Sequence, residues 1–329
     1  MTAGRLLTFN CHEAWVHQLG ALGRPLDIVD GLPGRYASRW DERMRPVPDG
    51  ARLITLAEAL ASDGIYDAIV GHNLSDLLDT RSLAAPRVLV LHVTLEHRLE
   101  QGAFTGAPAA LVHTLERYLA LTGGVAVAVT ARKAASWGLR DCRVVESGVE
   151  PADYLPWRGD VASGLRVANQ ISARRRYLAW DLHERAFAES PMRVLGHNPD
   201  MPGVAPPASW AELKVHLSRH RFFVHTADAV LEDGFNMALM EALAAGMPVL
   251  GNCHPSSPIE DGDCGFLSDD PALLALYARR LLVDRPLAER MSHRARELCS
   301  SRFPRARFIE GLEAAILDAE RGYAEVRRR

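Results

Sequence analysis

Short runs of apolar, β-branched residues alternate with longer amphipathic stretches along most of the chain. The runs span residues 5–10, 25–31, 66–73, 86–94, 124–130 and 142–149 in the first half, and 165–171, 191–198, 221–227 and 247–253 in the second. Such runs are typical of buried strands, and the stretches between them have the period of helices. The alternation predicts parallel sheets covered by helices on both faces, with ligands bound beyond the carboxyl ends of the strands.

The alternation is interrupted at residues 150–164, where Pro, Gly and Asp are typical of a linker. A chain of 329 residues also exceeds the size at which one hydrophobic core stops growing. We therefore predict two α/β domains, residues 1–155 and 156–303. The remaining segment, 304–329, has the pattern of one amphipathic helix with a basic end.

Composition excludes several classes of protein. The formal net charge of −3 gives no electrostatic basis for nucleic-acid binding. The five cysteines form no CxxC pair, which favours reduced thiols over disulfides or structural zinc. The N-terminal sequence lacks a signal-peptide core and no apolar run approaches the ~20 residues of a membrane span, so we expect a soluble, cytoplasmic protein. The first loop, 9–20, lacks the glycines of a dinucleotide-binding oxidoreductase.

Residues 221–251 have the pattern strand, loop, helix, strand. Gly234 permits a tight turn, Asn236 is a good N-cap, and Gly246 is suited to end the helix. The start of such a helix can bind an anion. Asp233 precedes it, and Glu241 lies within it among apolar residues, where a carboxylate needs a hydrogen-bonding partner. An anion site flanked by two carboxylates suits a ligand that has both phosphates and hydroxyls, such as a sugar nucleotide.

This segment resembles the nucleotide-binding segment of retaining GT-B glycosyltransferases, the group 1 or family 4 type. The residues that match the family pattern are Asp233, Gly234, Phe235, Glu241, Ala244 or Ala245, Gly246, Pro248 and Val249. The resemblance extends over about 143–310. It implies two Rossmann-like domains facing across a cleft, an N-terminal acceptor domain and a C-terminal donor domain, with the last helix crossing back to the N-terminal domain.

The resemblance also implies roles for individual residues. Glu241 would hydrogen-bond the ribose hydroxyls of the donor, and Asp233 would lie near the donor sugar. Backbone N–H groups after Gly234 and Phe235, around Asn236 and Met237, would meet the sugar and phosphate.

The sequence departs from the family pattern at several positions. Asp233 replaces the usual Glu, and Asn236 stands where Gly is common. The two basic residues that hold the donor phosphates, five positions apart, align with Asn169 and Arg174. Arg174 suits phosphate, whereas Asn169 has no charge, and we expect Arg175 or Arg176 to compensate.

Histidines that follow strands are further candidates. His92 ends a strong strand, and the resemblance implies that it contacts the donor sugar; His12 and His72 also follow strands but are weaker candidates. His254 and Ser256 lie in a loop that could line the sugar pocket. Asp-x-Asp at 261–263 is the kind of motif that holds a metal in another glycosyltransferase architecture. Here we interpret it as a turn and predict no metal.

These features together predict retaining transfer of a hexosyl group from a nucleoside diphosphate sugar, of the UDP or GDP type, to an acceptor hydroxyl. The acceptor would be a glycan, a glycolipid or a small molecule, and no cofactor is expected. Two alternatives stay open: a sugar-nucleotide epimerase or phosphorylase on the same fold, and a catalytically silent partner subunit. The altered residues 169 and 233 favour the second.

Overall fold

The computed structural model describes residues 4–34, 39–62, 64–102, 104 and 106–329. The chain forms two compact units. The first comprises Met1–Ser147 and Ala306–Arg329, and the second comprises Gly148–Arg305. Each unit is built on its own parallel sheet, as the alternation of strands and helices predicts.

The described part of the first unit contains a sheet of seven strands. These are β1 Arg5–Phe9, β2 Leu26–Val29, β3 Ala51–Ile54, β4 Tyr66–Gly71, β5 Arg87–Leu91, β6 Val125–Ala128 and β7 Arg143–Val144. Their order is β3-β2-β1-β4-β5-β6-β7, and every pair is parallel. The direction of winding reverses between β1 and β4, so the loops that leave these two strands open a crevice at the carboxyl edge.

Short helices connect these strands. They are α1 Glu13–His17, α2 Leu56–Ala61, α3 Leu74–Asp79, α4 Leu95–Glu100, α5 Pro108–Thr122 and α6 Ala131–Trp137. Residues on both faces of β1, Leu6 and Leu7, are fully buried, as expected of a central strand covered on both sides.

The second unit has a sheet of five parallel strands among the residues described. The strands are β8 Val161–Val167, β9 Met192–Leu195, β10 His220–His225, β11 Val249–Gly251 and β12 Gly265–Leu267, in the order β12-β11-β10-β8-β9. The helices are α7 Trp180–Phe187, α8 Trp210–Arg219, α9 Met237–Ala245, α10 Pro271–Val283 and α11 Arg285–Arg302. Winding reverses between β8 and β10, which places the loops 168–179 and 226–236 beside the crevice of this sheet.

The last helix, α12 Arg305–Arg328, belongs to the first unit along nearly all of its length. Its apolar face is fully buried in the core of that unit through Phe308, Leu312, Ala315, Ile316 and Ala319. That spacing is one face of a helix, as the amphipathic pattern predicts. None of the helices in the described chain is long and apolar enough to span a membrane.

Three expectations about local structure are corrected. Residues 150–164 are not a linker, because Tyr154 and Trp157 pack in the core of the second unit and β8 begins at Val161. The units divide after Ser147 rather than after residue 155, since Val149 pairs with Pro304 in the second unit. The stretch between the runs 25–31 and 66–73 is not all helical, because it contains β3 before the helix α2, which follows a capping box.

Candidate functional site

Helix α9 begins at the carboxyl edge of the second sheet, after the loop that leaves β10. The Asn236 side chain accepts a hydrogen bond from the Leu239 N–H at 3.0 Å, which caps the helix. Gly246, with φ of 93°, ends it in the left-handed region. These are the predicted start and end. The N–H groups that precede Leu239 have no acceptor within the helix, and the dipole is positive at this end, so the start of α9 is suited to an anion.

Glu241 lies in the second turn of α9, and only 3% of its surface is exposed. The Tyr154 hydroxyl donates a hydrogen bond to Glu241 Oε1 at 2.9 Å. A carboxylate offers about four lone-pair positions, and this bond uses one of them. Glu241 is therefore not a solvent-facing residue of the helix, and Tyr154 fixes the orientation of its carboxylate.

The turn before α9 is held by the loop 254–257. A Cβ on Gly234 would lie 2.5 Å from the Ser257 nitrogen, so only glycine permits this approach. The Gly234 N–H donates to Ser256 Oγ at 2.9 Å, and Ser256 Oγ lies 3.1 Å from His254 Nδ1. His254 Nε2 lies 3.1 Å from the Glu232 carbonyl oxygen, which can only accept, so the ring proton is on Nε2. His254 and Ser256 thus join the loop to the turn.

Asp233 is fully buried within this turn. Its N–H donates to Glu232 Oε1 at 2.8 Å, and its backbone makes a hydrogen bond with the His225 ring. Burial lowers the pKa of His225 to about 3, so the ring is neutral. A cavity of about 10 Å³, close to the volume that one water needs, borders His225 and Gly234.

Two residues at the start of the predicted donor segment have packing roles. Phe235 is 6% exposed, and its ring centroid lies 5.2 Å from that of Phe303 in the core. Met237 is half-buried against the same core. Their side chains pack the start of α9 against the core. Only their backbone N–H groups are therefore candidates to donate hydrogen bonds to a ligand.

Asn169 connects the loops that leave β8 and β9. Its Oδ1 accepts a hydrogen bond from the His197 N–H at 2.9 Å. Asn198 makes a second connection, because its side chain accepts from the Ile171 N–H and donates to the Ala168 carbonyl, both at 2.8 Å. A pocket of about 120 Å³ lies between the two loops, lined by Gln170, Ile171, Ser172, Ala173, His197, Asn198, Pro199 and Asp200. Asn169 therefore shapes this pocket and supplies no charge.

Two of the three neighbouring arginines are paired with carboxylates. Arg175 is 2.5 Å from Asp181 Oδ1 and 2.6 Å from Glu184 Oε2. Arg176 Nε is 3.6 Å from Asp228 Oδ2. These pairs reduce the positive charge that Arg175 and Arg176 present at the carboxyl edge.

Arg174 differs from its neighbours. Its guanidinium carbon lies 4.1 Å from the centroid of the Tyr177 ring, and the side chain is half-buried. In the described structure no carboxylate lies within ion-pair distance of it. Stacked on an aromatic face, Arg174 keeps a positive charge that is available to an anion.

Arg166 supplies a second positive charge from within the sheet. It lies in β8 with 2% of its surface exposed. Its guanidinium donates to the carbonyl oxygens of Val224, Thr226 and Leu178, at 3.1, 3.0 and 3.4 Å. Burial, followed by the charge of Arg174, lowers its pKa to about 9, which leaves it protonated at neutral pH. Its bonds are to carbonyls, so its charge is not neutralised.

Comparison with known proteins agrees with this geometry. Residues 199–298 match the model of the family described as "Glycosyl transferases group 1". HepE (Alr3699) of Anabaena, solved with UDP and glucose, superposes with a TM-score of 0.69 at 13% identity, over 95% of this chain and 99% of that one. Sucrose-phosphate synthase of Thermosynechococcus elongatus superposes with a TM-score of 0.64 at 14% identity, over 98% and 99%.

The chain has the GT-B fold, and its residues 199–298 match the group 1 glycosyltransferase family. A glycosyltransferase of Rickettsia africae is also similar, with a TM-score of 0.63 at 12% identity, over 96% of this chain and 99% of that one. No curated protein sequence matches the chain. The matched range 199–298 contains Asp233, Glu241 and the whole of α9, so the predicted resemblance is confirmed where it rests on this motif.

In the first unit, a chain of hydrogen bonds fixes the ring of His92. The Thr8 hydroxyl donates to the Val70 carbonyl oxygen at 2.9 Å, so its oxygen accepts from His72 Nε2, also at 2.9 Å. Burial lowers the pKa of His72 to about 3, so the ring is neutral and Nδ1 can only accept. His92 Nε2, 2.9 Å from that Nδ1, is therefore the donor.

This arrangement defines the tautomer of His92. Burial, with the nearby His72, holds the pKa of His92 well below its usual value. A neutral ring that carries its proton on Nε2 has a lone pair on Nδ1. His92 can thus accept a hydrogen bond at Nδ1 from a hydroxyl group. His12, whose charge acts on both rings, precedes α1 and makes no side-chain cap.

The Asp-x-Asp motif lies in a turn of the second unit, as predicted. Asp261 Oδ1 accepts from the Leu267 N–H at 2.8 Å, and Asp263 pairs with Arg294 at 2.8 Å. Each carboxylate thus has a structural partner.

The sequence pattern did not indicate two features of the second unit. Tyr154 lies in the segment that was predicted to be a linker. Two aromatic residues close together, Tyr154 and Trp157, are a signal that this segment packs in a core. Arg166 was passed over, although a charged residue within a run predicted to be buried is itself a signal.

Proposed function

We propose that the glycosyltransferase transfers a hexosyl group, with retention, from a nucleoside diphosphate sugar to an acceptor hydroxyl. The observation that carries the proposal is the pair of buried carboxylates, Asp233 and Glu241, on either side of the capped start of α9. Similar structures of HepE contain UDP, UDP and glucose, or UDP-glucose, which supports a donor of the UDP type.

Glu241 is proposed to bind the donor ribose. Its carboxylate is buried and is oriented by Tyr154. A carboxylate is an acceptor that ribose hydroxyls can donate to. Hydrogen bonds to a charged group contribute about 1.5–3 kcal/mol each, so Glu241 would contribute strongly to donor affinity.

The diphosphate is proposed to bind near Arg174 and the N–H groups around Asn236 and Met237. These groups lie on the two loops that flank the reversal between β8 and β10, where an open α/β sheet binds its ligands. Both the guanidinium and the helix start stabilise negative charge. Charge develops on the diphosphate as it leaves, so these groups would stabilise the transition state more than the bound donor.

The sugar is proposed to lie at Asp233, with the loop of His254 and Ser256 beside it. Asp233 has no exposed surface, so this contact requires the turn around it to move. In the first unit, His92 Nδ1 is the candidate acceptor for a ligand hydroxyl. No protein nucleophile is required, because the leaving phosphate can take the proton of the acceptor hydroxyl.

The first experiment identifies the donor. Ligand binding stabilises the folded state by mass action, so a thermal-shift screen of UDP, GDP, dTDP and ADP sugars should single out one nucleotide. NMR of the product then reads the configuration at the anomeric carbon, and inversion would contradict the proposed retention. The donor incubated alone separates the alternatives: a new epimer would indicate an epimerase, and absence of both donor binding and hydrolysis would indicate a silent subunit.

The ribose contact is tested by Glu241→Gln, measured by calorimetry with the nucleoside diphosphate. We expect the affinity to fall by about tenfold to a hundredfold, since a neutral amide replaces a charged acceptor. Glu297→Gln, which changes an exposed glutamate of the same unit, is the matched control. Unchanged affinity in the Glu241 variant would remove the ribose assignment.

The phosphate contact is tested by Arg174→Ala against Arg175→Ala. The Arg174 variant is expected to lose affinity for the nucleoside diphosphate while its affinity for the nucleoside is unchanged, because only the diphosphate carries the charge. The Arg175 variant should bind both ligands nearly as the wild type does, since Asp181 and Glu184 already occupy Arg175. Equal effects in the two variants would contradict the assignment.

A further inference from the structure

Three side chains with metal-binding atoms meet at the carboxyl edge of the first sheet. Cys11 follows β1, His72 follows β4 and His92 follows β5, three strands that are neighbours in the sheet. Their Sγ, Nδ1 and Nε2 atoms lie within 4.8 Å of one another. Cys11 Sγ is 4.0 Å from His92 Nε2, and His72 Nδ1 is 2.9 Å from the same Nε2.

The two rings are held by groups outside this cluster. The Thr8 hydroxyl oxygen accepts a hydrogen bond from the Nε2–H group of His72. The lone pair on Nδ1 of the same ring therefore points into the cluster. Trp15 packs edge-on against both rings, with centroid separations of 5.0 Å in each case. Metal-binding histidines typically donate their second ring N–H to such an outer partner, which fixes the tautomer and the ring orientation.

We propose that Cys11 Sγ, His72 Nδ1 and His92 Nε2 bind a divalent transition-metal ion of the zinc type, with a fourth position open to water or ligand. One thiolate and two imidazoles are donors that zinc accepts, and three protein ligands with one open position are typical of a reactive zinc site. The ion would take the place of the proton now shared between the two histidine nitrogens. This proposal is independent of the proposed transfer reaction.

The atoms need only small displacements. Zinc bonds of about 2.3 Å to sulfur and about 2.0–2.1 Å to nitrogen, at tetrahedral angles, place two nitrogens about 3.3 Å apart and sulfur about 3.6 Å from nitrogen. The observed separations are 2.9 Å and 4.0 Å. These two distances therefore change by about 0.4 Å each, and the third, between Cys11 Sγ and His72 Nδ1, starts from at most 4.8 Å. Rotation of the partly buried Cys11 and His92 side chains can supply such shifts.

Charge near the cluster favours a cation. Burial raises the pKa of the Cys11 thiol, and the negative charges of the Asp76 and Glu13 carboxylates raise it further because they disfavour an unpaired thiolate. The same fields attract a divalent ion, which would neutralise the thiolate as it forms. The positive charge of Lys133, which adds to the effect of burial in lowering the pKa of His92, disfavours a cation at this place.

The protons balance as follows when an ion binds. The Cys11 thiol loses its proton to solvent, and the His92 proton moves from Nε2 to Nδ1, so one proton is released for each ion bound. The shift changes His92 Nδ1 from an acceptor to a donor. Binding of an ion would therefore change how His92 meets a hydroxyl group.

The test is titration of the metal-free protein with Co²⁺, followed by its absorption spectrum. We expect one equivalent to produce a thiolate-to-cobalt charge-transfer band and the strong visible bands of a tetrahedral site, and Zn²⁺ to remove both. Cys11→Ser should abolish the charge-transfer band, and His72→Gln should weaken binding at least tenfold. Cys142→Ser and His113→Gln in the same unit are controls that should leave the spectrum unchanged.

A measurement on the unaltered protein guards against variants that fail to fold. Zn²⁺ should slow alkylation of Cys11 by iodoacetamide, while the exposed Cys253 reacts at an unchanged rate. Absence of the charge-transfer band, or equal alkylation of Cys11 with and without Zn²⁺, would overturn the proposal and leave a hydrogen-bonded histidine pair only.

Discussion

Tyr154→Phe tests whether the protein orients the carboxylate of Glu241. The Tyr154 hydroxyl donates to Glu241 Oε1 at 2.9 Å, and the two side chains are 7% and 3% exposed. The substitution removes one oxygen atom and keeps the ring in place. It therefore creates no large cavity in the apolar core, and the change in stability reports the interactions of the Tyr154 hydroxyl, of which the bond to Glu241 is one.

The expected loss follows from burial and charge. A hydrogen bond to a charged group contributes about 1.5–3 kcal/mol, and a buried acceptor left without its donor also loses its compensation for desolvation. We expect the free energy of unfolding of the second unit to fall by about 2 kcal/mol. That is roughly a thirtyfold change in the unfolding equilibrium, or a shift of about 1 M in the urea midpoint.

Urea unfolding followed by circular dichroism measures this shift. Tyr277→Phe is the matched control, because Tyr277 lies in the same unit and its hydroxyl has no hydrogen bond within the described residues. Combining Tyr154→Phe with Glu241→Gln should give a coupling of about 1–2 kcal/mol, since the second change removes the charged acceptor of the hydrogen bond that the first change removes. Equal midpoints for Tyr154→Phe and the wild type would refute the reasoning.

Two further predictions concern pH. Burial raises the pKa of Asp27, but the hydrogen bonds and charges of Arg52 and Arg5 outweigh it and hold that pKa below its usual value, so the stability present above about pH 4 is lost as pH falls through the folded-state pKa. Asp27→Asn should lower the free energy of urea unfolding by about 2 kcal/mol at neutral pH, and by progressively less as the pH falls through the lowered pKa of Asp27; a loss that does not change with pH would contradict this. Burial, with the charge of Arg166, lowers the pKa of His183 to about 3. The unfolded chain then binds the extra proton below about pH 6.5, and His183→Gln should reduce the loss of stability on acidification by about 1.4 kcal/mol per pH unit; an unchanged slope would count against it.

The fold and the centre of the donor segment could be predicted because local chemistry determines them. Alternating strands and helices define parallel sheets, and Asn236 and Gly246 mark the ends of α9 by their capping chemistry. Glu241 stood out because a carboxylate among apolar residues requires a partner. These inferences need no knowledge of which distant residues meet.

Partners from distant parts of the chain could not be predicted. Glu241 meets Tyr154, which lies 87 residues earlier, and Cys11 meets His92, which lies 81 residues later. Both contacts depend on how the sheets bring separate segments to one edge. The supposed linker failed for the same reason: Pro and Gly indicate turns, but only packing decides whether the aromatic residues between them are buried.

Asn169 is uncharged where the family pattern has a basic residue, yet residues elsewhere in the sheet supply positive charge to the same edge. Sequence alignment alone leaves Arg174 to Arg176 as the source of positive charge, and ion pairs occupy two of these three. Arg166, in contrast, is bound through carbonyl oxygens and retains its charge at neutral pH. Arg174 and Arg166 act electrostatically on each other, so both fields reach the carboxyl edge between β8 and β10. In a buried site of low dielectric such a field is screened less than a surface charge would be, and an uncharged residue at 169 does not leave this edge neutral.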